Sequence, residues 1–201
     1  VAELWTGLCD FLRAGGPVMI PLGMVSLALW WIALWKIFEL ERIQREELPL
    51  EQYGALRGGA ESQCSAWQET ILKGWRKGKS ENPKRNRRLL DTLRQIEERK
   101  AERLSSTVYV LAAIAPLLGL FGTVSGMIET FQAITLFGTG NARAMAGGIS
   151  AALITTQTGL VVAVPGLLAA NMIQRRTRDL RERMERFCLR LARDSFSVET
   201  A

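Results

Sequence analysis

No histidine occurs anywhere in the 201 residues, and only three cysteines do, Cys9, Cys64 and Cys188, scattered along the chain. Without imidazole or a Cys-x-x-Cys pair, a zinc site of the usual kind, a Ser-His-Asp triad and a histidine proton relay are excluded. There is no glycine-rich nucleotide loop and no nucleophile beside a base, so an enzyme reading has nothing to rest on and no cofactor is expected. Charge is also missing from three long runs: 14–35 between Arg13 and Lys36, 104–128 between Arg103 and Glu129, and 144–174 between Arg143 and Arg175.

Each run is at least 22 residues long. At about 1.5 Å per residue that makes ~33 Å of helix, enough to cross the hydrocarbon of a bilayer. The whole chain, 48% hydrophobic and 23% charged, averages to a soluble composition only because greasy and charged stretches are segregated. The expected fold is an all-α membrane protein with three transmembrane helices, the second and third long and extended into a cytoplasmic helical bundle. The first run exceeds a signal-peptide core and ends in Trp30, Trp31 and Trp35, which suits a retained anchor facing lipid with Lys36 reaching the headgroups.

Lysine and arginine orient the spans. Sixteen of the 26 lie in 36–103 and eight follow Gln174, leaving Arg13 and Arg143 for the other side. The positive-inside rule puts the N-terminus outside and the loop and tail on the cytoplasmic side of a multi-pass membrane protein. The same rule accounts for the net charge of +6, so no nucleic-acid partner is expected.

The expected organisation runs from an outer interfacial helix (1–13) through the first span (14–38) into a cytoplasmic helical loop (39–103). A second span (104–136), an outer loop (137–143), a third span (144–174) and a cytoplasmic tail helix (175–201) complete it. In the first segment Leu4, Leu8, Phe11 and Leu12 share a face, with Trp5 nearby. Pro49, Gly58-Gly59, Gly78 and Asn82-Pro83 punctuate the loop into three helical pieces. The last piece carries the stripe Leu89, Leu93, Ile96 and Leu104 and meets no breaker before the second span. In the tail, Ile173, Leu180, Met184, Phe187 and Leu191 form a seam, with Asp179–Arg183 and Glu182–Arg186 as i,i+4 pairs.

The second and third spans each carry a small-residue face. Gly119, Gly122 and Gly126 recur at helical spacing beside Thr123, and Ala152, Thr156, Gly159, Ala163, Gly166 and Ala170 do so in the third. Close helix packing and a narrow pathway both call for such faces, and composition does not choose between them. The segments IAPLLGLFGTVSGMIETF (114–131) and GGISAALITTQTGLVVAVPGLLAAN (147–171) carry a further message. Together they resemble the paired motifs of the MotA/TolQ/ExbB proton-channel family, closest to its ExbB and TolQ branch.

Within the pore-forming spans Thr123, Ser150, Thr155, Thr156, Gln157 and Thr158 offer hydroxyls and an amide, none of which titrates usefully. Glu129, near the outer end of the second span, is the one carboxylate there, and its position suits a vestibule. The resemblance implies that the proton carrier comes from elsewhere. It implies a homo-oligomer, typically a pentamer, around single-span ExbD/TolR-like partners that supply an aspartate, working on a TonB-like or TolA-like energy-transducing protein in contact with membrane lipid. Matched residue by residue, it makes Thr123 and Thr156 the pore-lining pair, with Ser150, Thr155, Gln157 and Glu129 as secondary candidates.

Gly119, Gly122, Gly126 and Gly159 are then packing positions. Pro116 and Pro165, which match family prolines, free the carbonyls of Ala112 and Val161. Ala151 stands where ExbB-type members often have glutamate. The function implied is conversion of proton-motive force into mechanical work for outer-membrane transport or envelope maintenance. A passive membrane scaffold is the alternative of a different class, and a MotA-like flagellar stator subunit, for which the resemblance implies four spans, is the alternative of the same class.

Overall fold

Pro21, Pro116, Pro165 and most of the described glycines lie inside helices, and the chain nevertheless folds as long helices because its apolar runs have faces to bury and the small residues let those faces approach closely. The structure, a computed structural model, describes residues 2–47, 65–80, 82–138 and 141–197. Six helices are described: α1 (Ala2–Ala14), α2 (Met19–Arg45), α3 (Ala66–Gly78), α4 (Pro83–Glu102), α5 (Ser105–Phe137) and α6 (Ala142–Ser197). Pro49, Gly58-Gly59 and Cys64 lie outside the described residues. Three helical stretches are long and apolar enough to cross a membrane, within 19–45, 84–137 and 145–193.

The chain divides into two compact units, residues 1–34 with 106–171 and residues 35–105 with 172–201. In the first, the spans of α5 and α6 pack against each other, and α2 packs on the pair through Met19 and Leu22, which meet Ala115, Leu118, Ile154, Val162 and Ala163. Gly166 accepts Leu29 of α2 beside Ala112, so a β-carbon there would approach both side chains. The other faces stay apolar and exposed, as at Trp31 (78%), Leu27 (75%) and Leu136 (75%), which is what lipid or another helix requires. Phe11 and Leu12 of α1 are about two-fifths exposed.

The second unit is a small bundle. Ile173, Leu180, Met184 and Phe187 are buried as the seam of α6, and the edge of Trp67 meets Phe187 at 5.2 Å between ring centroids. Helix α3 lies along α4, with Leu93 and Leu89 against Gly74 and Gly78. Ile96 departs from the expected stripe and is 46% exposed. Asn82 caps α4 by accepting from the Lys84 amide (3.0 Å), while Asn86 both donates to and accepts from the Ser80 backbone (2.6 and 2.9 Å), holding the α3–α4 turn.

Three local expectations are corrected here. Lys36 is buried at 1% exposure and donates to Glu39 Oε2 (2.7 Å) instead of reaching the headgroups, because an ammonium enclosed by protein needs an anion. Arg183 reaches Glu47 (2.9 Å) rather than Asp179, whereas Arg186 does pair with Glu182 (3.6 Å). The passage from α4 into α5 contains a turn at Arg103–Leu104, where Leu104 adopts φ 69°, the left-handed region that an L side chain enters only at a cost. Beyond this turn Ser105 and Thr177 bring their hydroxyls to 3.5 Å in a buried pair.

Candidate functional site

The small residues of α5 and α6 face each other. A β-carbon added at Gly122 would overlap the Thr155 hydroxyl, one at Gly126 would lie 2.6 Å from the Gly148 carbonyl oxygen, and one at Gly159 would lie 2.8 Å from that of Ala115. These contacts run antiparallel along both helices and leave no room for any side chain larger than hydrogen. Gly119 fits the same seam, 3.1 Å from the Thr155 carbonyl oxygen and 3.2 Å from the Thr156 α-carbon when given a β-carbon. The GxxxG pattern of 122–126 is therefore used within the chain.

Helix geometry then fixes where the flanking hydroxyls go. Successive residues turn by about 100°, so Thr123 stands just to one side of the line through Gly119 and Gly126, while Glu129 stands to the other, about 120° away. Thr156 flanks its own helix's seam, and because the helices are antiparallel its side of the pair is the same as that of Thr123. Leu118, Ile154 and Val162 lie on the opposite side, under α2. Thr123 and Thr156 thus share the side that α2 leaves uncovered, at nearly the same level along the helices, and both are half-buried.

Their hydrogen bonds define what they offer. Thr123 Oγ1 donates to the Leu120 carbonyl (2.6 Å), and Thr156 Oγ1 has the carbonyls of Ala152 (3.1 Å) and Gly119 (3.4 Å) within reach. Each hydroxyl has one proton to give and gives it to backbone, so its oxygen keeps lone pairs free to accept. Thr155 is different. It is buried at 1% exposure in the notch left by Gly122, with its hydroxyl 3.0 and 2.9 Å from the carbonyls of Ala151 and Ala152.

Ser150, Gln157 and Glu129 are exposed, the first two on the face of α6 turned away from α5, so the structure does not bring them to Thr123 and Thr156. Pro116 and Pro165 sit inside α5 and α6, and both helices continue through them. Thr130 and Gly148 belong to the seam and went unnoticed in the sequence. Thr130 is 4% exposed, donates to the Gly126 carbonyl (2.9 Å) and fills the space in front of Gly148. Its i+4 spacing from Gly126 was the available signal. Among the described residues no cluster of histidine, cysteine and carboxylate could hold a metal ion.

The family model described as MotA/TolQ/ExbB proton channel family matches residues 63–186. The chain is 31% identical over 173 residues to the biopolymer transport protein ExbB of Pseudomonas putida, covering 79% of this chain and 53% of that one. It is 37% identical over 94 residues to an ExbB-like biopolymer transport protein of Synechocystis sp., covering 46% and 45%. Over 75 residues it is 40% identical to ExbB of Neisseria gonorrhoeae, covering 37% and 34%. The chain spans about half the length of the first two of these relatives.

Proposed function

Because the chain belongs to the MotA/TolQ/ExbB proton channel family, on its ExbB/TolQ side, we propose that it is the channel subunit of an inner-membrane motor and that Thr123 and Thr156 line its proton pathway. Several copies, five in the arrangement the family likeness implies, surround single-span ExbD/TolR-like helices that supply the aspartate this chain lacks. The observation that carries the reading is the shared, uncovered side of the α5–α6 pair on which both threonine oxygens are presented as acceptors. A protonated partner acid can donate to either oxygen directly. A carboxylate needs a hydroxyl to turn its proton away from the Leu120 or Ala152 carbonyl and donate, so the two protonation states of the partner select two orientations of the threonine O–H.

Protons crossing inward release about 2.3 kcal/mol per charge for each 100 mV of potential. Coupled to partner movement, that energy drives a TonB-like or TolA-like protein engaged in outer-membrane transport or envelope maintenance. The N-terminus is then periplasmic and the C-terminus cytoplasmic.

Thr123→Val and Thr156→Val test the proposal, since valine keeps the shape of threonine and deletes the hydroxyl. Co-expressed with the single-span partner and reconstituted in liposomes, each variant is expected to lose about tenfold or more of potential-driven proton uptake, as a few-kcal/mol change in a transferring hydrogen bond implies, while particle mass stays unchanged. Full uptake by both variants would identify the hydroxyls as packing groups and return the protein to the scaffold class.

A further inference from the structure

The second unit pairs its charges with care except at one end. Arg176 meets Glu41 (3.0 Å), and buried Glu98 is held by Arg94 (2.8 Å) and Arg181 (3.2 Å), which also reaches Glu102 (3.3 Å). At the other end of α4 cations outnumber acids. Residues 76–91 contain seven lysines and arginines against Glu81 and Asp91. Four of the seven, Lys84, Arg85, Arg87 and Arg88, crowd the first turns of α4, where the helix macrodipole opposes positive charge, and the first turn holds no acid. Lys84, Arg85 and Arg88 are exposed and form no ion pair among the described residues.

Three helix ends meet here. Helix α3 finishes where α4 starts, since Gly78 lies against Leu89 and Gly74 against Leu93. Helix α6 runs antiparallel to α4 and brings Arg190 and Arg193, both exposed, to the same place. Between α4 and α6 lies a groove of about 430 Å³. Its floor is apolar, from Leu90, Cys188, Leu189 and Ala192, and its rim carries Arg87, Arg94 and Arg193 together with Asp91 and Glu185. Leu189 is 63% exposed.

We infer that this end of the unit docks an acidic segment of a partner polypeptide. Its carboxylates meet the cations at the start of α4 and the end of α6, and a leucine-sized side chain enters the groove over Leu189. Charge complementarity calls for an anion, and the apolar floor selects which kind. Asp91 and Glu185 would repel a phosphate placed in the groove, and among the described residues no aromatic ring lines it for a base to stack on, so nucleic acid and free phosphate gain nothing from Leu90 and Leu189. An apolar anchor inside with carboxylates outside uses every group present. This surface is separate from the threonine pair, and its test is independent of proton uptake.

The test uses the full chain in nanodiscs of neutral phosphatidylcholine and fluorescence anisotropy of a labelled peptide in which leucines alternate with paired glutamates. The expected result is salt-sensitive binding about tenfold tighter than that of the same peptide with serine for leucine. Arg87→Glu with Arg193→Glu should weaken it about tenfold or more, and Arg178→Glu, outside the patch, should leave it unchanged. Leu189→Ser alters an exposed side chain only, so it keeps the test decisive if the charge reversals unfold the bundle. It should weaken the leucine peptide and not the serine one. Equal binding of both peptides, equal binding of an oligouridine of the same charge, or indifference to the charge reversals and to Leu189→Ser would each overturn the inference.

Discussion

Gly122→Ala tests the helix seam at its tightest point. The added methyl would overlap Thr155 Oγ1 and lie 2.5 Å from its Cβ and 2.9 Å from its Cγ2, where unstrained carbon contacts stand at about 3.5–4.0 Å. Either α5 and α6 separate by about 1 Å, loosening every contact in the seam, or Thr155 leaves its rotamer and its bonds to the Ala151 and Ala152 carbonyls. Overpacking of this kind costs about 1–3 kcal/mol, one to two decades in the folded population. Alanine by itself favours helix over glycine by ~1 kcal/mol, so Gly147→Ala, where nothing lies within 4 Å, should be neutral or stabilising. Thr155→Ala removes the obstructing hydroxyl and methyl but keeps the β-carbon, so it should recover part of the loss in the Gly122→Ala background, a coupling expected only of residues in contact. The measurement is reversible unfolding by SDS in mixed micelles, followed by circular dichroism, on the parent protein, the three single variants and the Gly122→Ala/Thr155→Ala double variant. Equal stability of Gly122→Ala and Gly147→Ala, or strict additivity of Gly122→Ala with Thr155→Ala, would refute the seam.

Other expectations concern the second unit. Burial pushes the Cys188 thiol up to about 12 from 9.0, with the nearby Arg94 opposing the shift. The buried thiol therefore adds stability below pH ~9 that disappears as pH rises toward 12, and Cys188→Ala should flatten that part of the stability profile. At pH 8 a maleimide should label Cys188 far more slowly in the folded protein than in SDS. Burial also raises the Glu47 carboxyl, while Arg183 and the Trp67 N–H (3.2 Å) counter it. Arg183→Ala should cost about 3 kcal/mol by leaving that carboxylate enclosed without its cation, and adding Glu47→Gln should recover part of the loss in a chemical unfolding series. At Leu104 the left-handed backbone costs about 1–2 kcal/mol, so Leu104→Asn should be near neutral and Leu104→Val destabilising in the same assay.

Three spans, their order and the small-residue faces were legible in the sequence because each depends on local pattern: charge-free runs of sufficient length, and glycines or alanines at every third or fourth position. Gly119, Gly122 and Gly126 meet α6 as that spacing implies, and the residues matched to the family, Thr123 and Thr156, prove to share one side of the pair. Which of two adjacent threonines faces outward was not legible. Thr155 and Thr156 are chemically the same and differ only by a turn of about 100°, and Thr155 is buried because Gly122, distant in sequence, leaves a hole where it stands. The exposure of Gln157, the enclosure of Lys36 and the choice of Glu47 over Asp179 by Arg183 were hidden for the same reason. Apolar periodicity says that a face avoids water, yet lipid and protein satisfy it equally, and a charged side chain has several acids within its length. Only the packed helices determine which surface covers a face and which acid a cation can reach.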